Sequence, residues 1–151
     1  GGEEGVVIPA ILLHDVGWST VPENEHLMAF GPDIKKPELS RQHEIEGARL
    51  AGEILYSLGY EEKIVKEVQL IIDGHDTRNF ALNLNDQVVK DADKLWRFSY
   101  EGFVIDYNRF KLEPLKWWNY LFDHISVWFF TPTAKELAIQ EAKRRREEIV
   151  G

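Results

Sequence analysis

Ile11-Leu12-Leu13-His14-Asp15-Val16-Gly17 closes an aliphatic run with an imidazole and a carboxylate, and the reading of that junction decides the fold. Val6 to Val16 reads as a short, very apolar helix that Gly17 ends. A helix so apolar has to be buried, and a carboxylate at its end is costly unless it is paired or bound to a cation. Three segments further along pose the same demand: His43-Glu44-Ile45-Glu46-Gly47-Ala48, Ile71-Ile72-Asp73-Gly74-His75-Asp76, and Val89-Lys90-Asp91-Ala92-Asp93-Lys94-Leu95. Asp93 falls beside the apolar stripe that Val89 begins.

Outward from these segments the periodicity is helical nearly throughout. Trp18 to Pro37, with Pro22, Gly31, Pro32 and Pro37, reads as a loop. A helix is expected from near Ser40 to Leu58, with Ala51, Ile54, Leu55 and Leu58 on one face and Gly59 as the stop. Glu61 to about Gly74 repeats the pattern. Asn85 or Asp86 is placed to cap the helix carrying Val88, Val89, Ala92, Leu95 and Trp96. Pro114 and Pro132 break the remainder into two or three helices, and in the last of these Lys143-Arg144-Arg145-Arg146 reads as a solvated face paired with Glu147 and Glu148. No alternating strand is present. The expectation is an all-α fold, a single helical domain over residues 1–151.

Composition narrows the function. The chain has 151 residues, 44% of them hydrophobic and 29% charged, which is the balance of a globular protein. There is no cysteine, so disulfides, thiolate metal sites and cysteine nucleophiles are excluded. Acidic residues number 26 against 18 basic, a formal charge of −8, which argues against binding a nucleic-acid duplex through its phosphates. The longest apolar stretch, Val6 to Leu13, contains Pro9 and is far short of the ~20 residues a membrane span needs. A cytoplasmic protein without a membrane partner is expected.

One cation answers the demand of several buried polar groups together. Imidazoles and carboxylates without sulfur suit Mn, Fe, Co, Ni, Zn or Mg, and the mixed nitrogen and oxygen set leans toward a first-row transition metal. The order of the four segments resembles the HD superfamily of metal-dependent phosphohydrolases, whose pattern is His, then His-Asp, then a distant Asp, with two further histidines between in its two-metal branches. His14-Asp15 resembles the signature doublet, and Ala92-Asp93-Lys94-Leu95 the family's Ala-Asp-Arg/Lys-Leu segment. His43, with Gly47 one turn on to admit a close neighbour, is similar to the first extra histidine, and His75 to the second. The resemblance spans Ile11 to about Phe98. It implies one or two divalent ions per chain, held by His14, Asp15 and Asp93, with His43 and His75 for the second and Asp15 as the bridge. The family's first histidine precedes the doublet, and none of the residues before His14 is a histidine. That ligand is expected from a helix upstream of Gly1; the alternative is a chain that has lost it.

The resemblance further implies hydrolysis of a small phosphorylated substrate, a nucleotide foremost, through metal-activated water. Asp15 carries the catalytic role, and Lys94, Arg78 and Arg41 are the neighbouring cations that could hold phosphate. Asp91 is the rival to Asp93, and Asp76 a cap or a group that orients an imidazole. Branches with a Lys or Glu three residues after the doublet find Trp18 here instead. His26 reads as a loop residue and His124 as structural. The aromatic stretch from Trp117 to Phe130 reads as core or as a homodimer face, with a base-stacking wall as the sharper alternative. Two rival functions share the same ligands: a non-catalytic metal- or nucleotide-binding regulatory module, and a di-iron oxygenase.

Overall fold

The computed structural model describes residues 1–151, folded into seven α-helices and two 3-10 helices without a strand. The all-helical expectation holds. By internal contacts the chain divides into two units, Gly1–Val89 and Lys90–Gly151.

In the first unit, α1 (Glu4–Leu13) ends at the doublet, and 3-10 helices at Val16–Thr20 and Glu23–Met28 occupy much of the stretch read as loop. α2 spans Pro37–Ser57, one turn earlier than expected, because Pro37 fits the first helical turn, where its missing N–H costs nothing. α3 spans Glu62–Ile72. α3 packs on α2 and α1 on α3, and their meeting faces form a core of Val6, Ala10, Ala51, Leu55, Val65, Val68, Ile71, Ile72 and Val89. The first 3-10 helix lies against α2 at an unusually close approach. A Cβ on Gly17 would stand 1.8 Å from the carbonyl oxygen of His43 and 2.6 Å from the Gly47 nitrogen. Only glycine lets the doublet's turn seat there. Gly47 faces the same contact, and a Cβ there already meets Ile72 at 3.3 Å.

α4 (Leu84–Trp96) begins in the first unit and ends in the second. Its cap is neither Asn85 nor Asp86: the side-chain oxygen of Asn83 accepts from the Asp86 amide at 3.0 Å. Asn85 instead accepts from the Glu3 amide and donates to Glu67, so both of its polar ends tie other segments together.

The second unit holds α5 (Tyr100–Arg109), α6 (Pro114–Trp128) and α7 (Pro132–Val150). Pro114 and Pro132 are breaks of the expected kind, and each sits in the first turn of the helix it precedes. α6 packs on α7 and on α5 around Phe98, Phe103, Trp117, Leu121, Ile125, Phe129, Ala134, Ala138 and Ala142. The aromatic stretch therefore serves mainly as core between helices; Trp118 adds a hydrogen bond to the Ala142 carbonyl and stacks on the half-exposed Phe122. His124 donates to the Tyr120 carbonyl within α6. No helix is long and apolar enough to cross a membrane.

Candidate metal centre

Four of the residues singled out from sequence come together in the first unit. His14 follows α1, Asp15 sits in the turn after it, His43 lies on α2, and His75 stands in the turn that follows α3. The side chain of Asp15 faces two ways. Its Oδ2 is 3.3 Å from His14 Nε2, while its Oδ1 is 3.7 Å from His43 Nε2 and 3.6 Å from His75 Nε2. The two latter nitrogens are 3.3 Å apart. Asp76 closes the group, with Oδ2 at 3.6 Å from His43 Nε2 and 3.5 Å from His75 Nε2.

The backbone sets the tautomers. His14 Nδ1 donates to the Ile11 carbonyl at 2.7 Å, and His75 Nδ1 to the Ile72 carbonyl at 2.9 Å. A carbonyl only accepts, so Nδ1 carries the hydrogen in both rings, and in the neutral imidazole Nε2 presents a lone pair to the cluster. His43 is wholly buried, and burial, reinforced by the neighbouring His75, holds its pKa below the ordinary imidazole value against the opposing pull of Asp76 and Asp15. A neutral His43 can donate from Nε2 to His75 or offer that nitrogen to a cation.

These donors fit a divalent ion. Metal–nitrogen and metal–oxygen bonds of about 2.0–2.2 Å set neighbouring ligands about 3–3.5 Å apart, which is close to the 3.3–3.7 Å spacings found here. His14, Asp15 and His75 form one group with metal-ligand spacing, and His43, His75 and Asp76 another. The donors are nitrogen and oxygen without sulfur, which suits first-row transition metals.

The turn that carries His75 and Asp76 is fixed by a residue the sequence reading passed over. Glu44, next to His43 on α2, is fully buried. It accepts from the Asp76 amide at 2.8 Å, the Thr77 amide at 2.7 Å, the Thr77 hydroxyl at 2.7 Å and Arg41 at 2.8 Å. Burial pushes this carboxyl up, and the hydrogen bonds from Thr77, Arg41 and Asp76 outweigh it, leaving the pKa below the usual carboxylate range. Gly74 opens the turn at φ 111°, a region that favours glycine. In sequence, Arg41 and Glu44 have the spacing of an ordinary surface ion pair on a helix, which hides the role.

Trp18 is the second such residue. It stands three residues after Asp15 on the first 3-10 helix, where its ring stacks on His43 at 4.0 Å and 12° and its Nε1 donates to Asp15 Oδ1 at 3.1 Å. Asp76, read as a cap or an orienting group, lies at ligand distance from both histidines.

The cations named for phosphate binding have partners within their own units. Arg78 bonds Asp86 at 2.9 Å and the carbonyls of Asp73 and Leu70, and so braces the turn. Arg41, half-exposed, joins Glu44 to Asp73. Lys94 lies 2.7 Å from Asp93 in the second unit. Asp91 is buried and accepts from the Phe130 and Thr131 amides at 2.8 and 2.9 Å and from the Thr131 hydroxyl at 2.7 Å. It anchors the start of α7. His26 donates to the Val21 carbonyl and packs on Trp18, an ordered place for a loop residue.

Compared with known families, the chain matches a family model described as HD domain over residues 1–97. No curated protein and no solved structure matches the chain.

Proposed function

The chain belongs to the HD domain family, and from that premise we propose that it is a metal-dependent phosphohydrolase acting on a small phosphorylated substrate, a nucleotide foremost. The observation that carries this reading is the double-faced setting of Asp15, with one oxygen toward His14 and the other toward His43 and His75. A carboxylate so placed can serve two ions at once. One ion would be held by His14 and Asp15. A second would be held by His43, His75 and Asp76, with Asp15 beside them.

A bound divalent cation supplies Lewis acidity toward water and phosphoryl oxygens. The chain's own residues supply the rest. Ile11 and Ile72 carbonyls hold His14 and His75 with Nε2 inward. Burial lowers the His43 pKa below the ordinary imidazole value, which favours the neutral form that a cation would need. Trp18 fixes the Asp15 carboxylate from the side opposite His14, and Glu44 holds the turn bearing His75 and Asp76 against α2. Phosphoryl transfer asks mainly for positioning and charge stabilisation, so a rigid ligand set without a separate nucleophilic side chain is sufficient. Lys94 is the proposed phosphate contact; Arg78 acts through the turn it braces.

The test is metal analysis followed by a panel of nucleotides, phosphomonoesters and phosphodiesters, on full-length protein stripped and reloaded with Mn, Co, Ni or Mg. Phosphate release that Asp15→Ala abolishes is expected. Full metal loading without release from any substrate would overturn the enzyme reading and leave the regulatory module in its place. Iron with redox-active spectra, and activity only with iron, would favour the oxygenase.

A further inference from the structure

The two ligand groups of the metal centre share a donor. His75 belongs both to the group with His14 and Asp15 and to the group with His43 and Asp76. Its Nδ1 is engaged by the Ile72 carbonyl, so Nε2 is the one nitrogen it can offer, and a single lone pair holds a single ion. The first ion to bind therefore decides which group His75 completes.

Spacing and burial favour the inner group. The donor atoms of His43, His75 and Asp76 form a nearly equilateral triangle, with edges of 3.3, 3.5 and 3.6 Å. Bonds of about 2.0–2.1 Å set the edges of a four-coordinate site at about 3.3–3.4 Å, and those of a six-coordinate site at about 3.0 Å. The triangle is that of a four-coordinate ion. His43 and His75 are buried, the Trp18 ring stacks on His43, and Glu44 accepts from the Asp76 amide. Little side-chain freedom is left for an ion to freeze. In the outer group, the side chain of Asp15 is 55% exposed and that of His14 17%.

We propose that His43, His75 and Asp76 bind first and hold a resident four-coordinate ion of the Zn²⁺ or Co²⁺ class, and that the ion beside His14 and Asp15 is the weaker, exchangeable one. This order rests on the two-ion reading above. Like charge widens the gap, because the second ion arrives beside the first. With fewer donors and more solvent about it, the outer ion is the one that presents an open position, as catalytic metal sites do.

Titration of the metal-stripped full chain with Co²⁺, followed by calorimetry and visible absorption, tests the order. The first equivalent should bind at least about tenfold more tightly than the second, with the intense absorption of four-coordinate cobalt. Asp15 lies beside both ions and does not separate them; His14 and His43 do. His14→Ala should keep the first equivalent and its spectrum, and His43→Gln should lose both. His43 is buried and its variant can unfold, so imidazole nitrogen NMR of the unaltered chain with Zn²⁺ gives an independent reading. The Nε2 signals of His43 and His75 should shift with the first equivalent, and that of His14 only with the second. Loss of the first equivalent in His14→Ala, a His14 shift at one equivalent, equal affinities, or a six-coordinate spectrum each overturns the order. Absence of binding overturns it together with the two-ion reading. No substrate enters these measurements: the expected order without phosphate release would sink the enzyme reading alone, and release with the order reversed would sink this proposal alone.

Discussion

Asp15 in the first unit and Asp91 in the second are both carboxylates on apolar helical surroundings, yet they are treated differently. Asp91 accepts short bonds from fixed donors, two amides and a hydroxyl at 2.7–2.9 Å. Asp106, fully buried in α5, is likewise held by the guanidiniums of Arg97 and Arg109. Around Asp15 and Asp76 stand imidazole nitrogens at 3.3–3.7 Å, two of those rings turned so that a lone pair faces inward, and Asp15 also accepts from the Trp18 indole at 3.1 Å. Short bonds from donors complete a carboxylate; a ring of lone pairs at longer range gives it the surroundings of a cation. Glu44 shows that the rule is not one of region, since it lies beside the cluster and is completed by donors like Asp91.

The comparison breaks first at Asp15. Asp15→Ala should lower divalent-metal affinity by more than ~100-fold, beyond the usual effect of disturbing a group behind a ligand, with far-UV circular dichroism unchanged. Stoichiometric metal in the purified variant would count against Asp15 as a ligand. Glu44→Ala should act oppositely, on the fold before the metal. It leaves the Asp76 and Thr77 amides and the Thr77 hydroxyl without their acceptor, and should cost roughly 3 kcal/mol in denaturant unfolding, since each buried group left unmet costs about 1–3 kcal/mol. Its contribution also carries a pH signature. The folded-state pKa is depressed, so the stabilisation is complete above the ordinary Glu value of about 4.5 and is lost as pH falls through the lower folded value. The wild-type minus Glu44→Gln stability difference should therefore shrink as the pH is lowered below 4.5; a difference flat with pH removes the assignment.

Asp91→Ala sharpens the contrast from the other side. Leaving the Phe130 and Thr131 amides without their acceptor should cost about 1–3 kcal/mol, while metal content stays at the wild-type level. Metal loss there would return Asp91 to the ligand set. The smallest effect is expected at Trp18. Trp18→Phe keeps the stacking on His43 and removes the bond to Asp15, so metal affinity should fall by about tenfold; Trp18→Leu, which removes both, should cost more. Equal affinities in the two variants would show that the stack contributes nothing.

Much of the first unit's site was legible before any coordinates. His14, Asp15, His43 and His75 stand out because imidazoles and carboxylates interrupt helices whose periodicity already demands burial, and that demand is local. The motif favours Asp93 over Asp91, and the structure adds that Asp91 is engaged by the start of α7. Misplaced elements were misplaced at their edges: α2 begins at Pro37 and not at Ser40, and α4 is capped by Asn83. Both come from turn chemistry, where a single side chain shifts the start by a turn.

What the sequence determined by itself is the helical class, the apolar face of each helix and the set of polar residues that need compensation, because all three follow from periods of three and four along one chain. What only the tertiary structure decided is which compensation each receives. Glu44 and Arg41 have the spacing of a surface pair, and only the Asp76–Thr77 turn, 32 and 33 residues away, makes Glu44 a buried anchor. Asp91 and Asp93 lie two apart on one helix, and only the start of α7, some 40 residues on, makes Asp91 structural. Arg145 and Arg144 are neighbours in a basic run, and only the packing of α7 buries one and leaves the other in water. A donor or acceptor is satisfied by whatever lies within about 3 Å of it in space, and that neighbour is set by how helices pack, which no local period encodes.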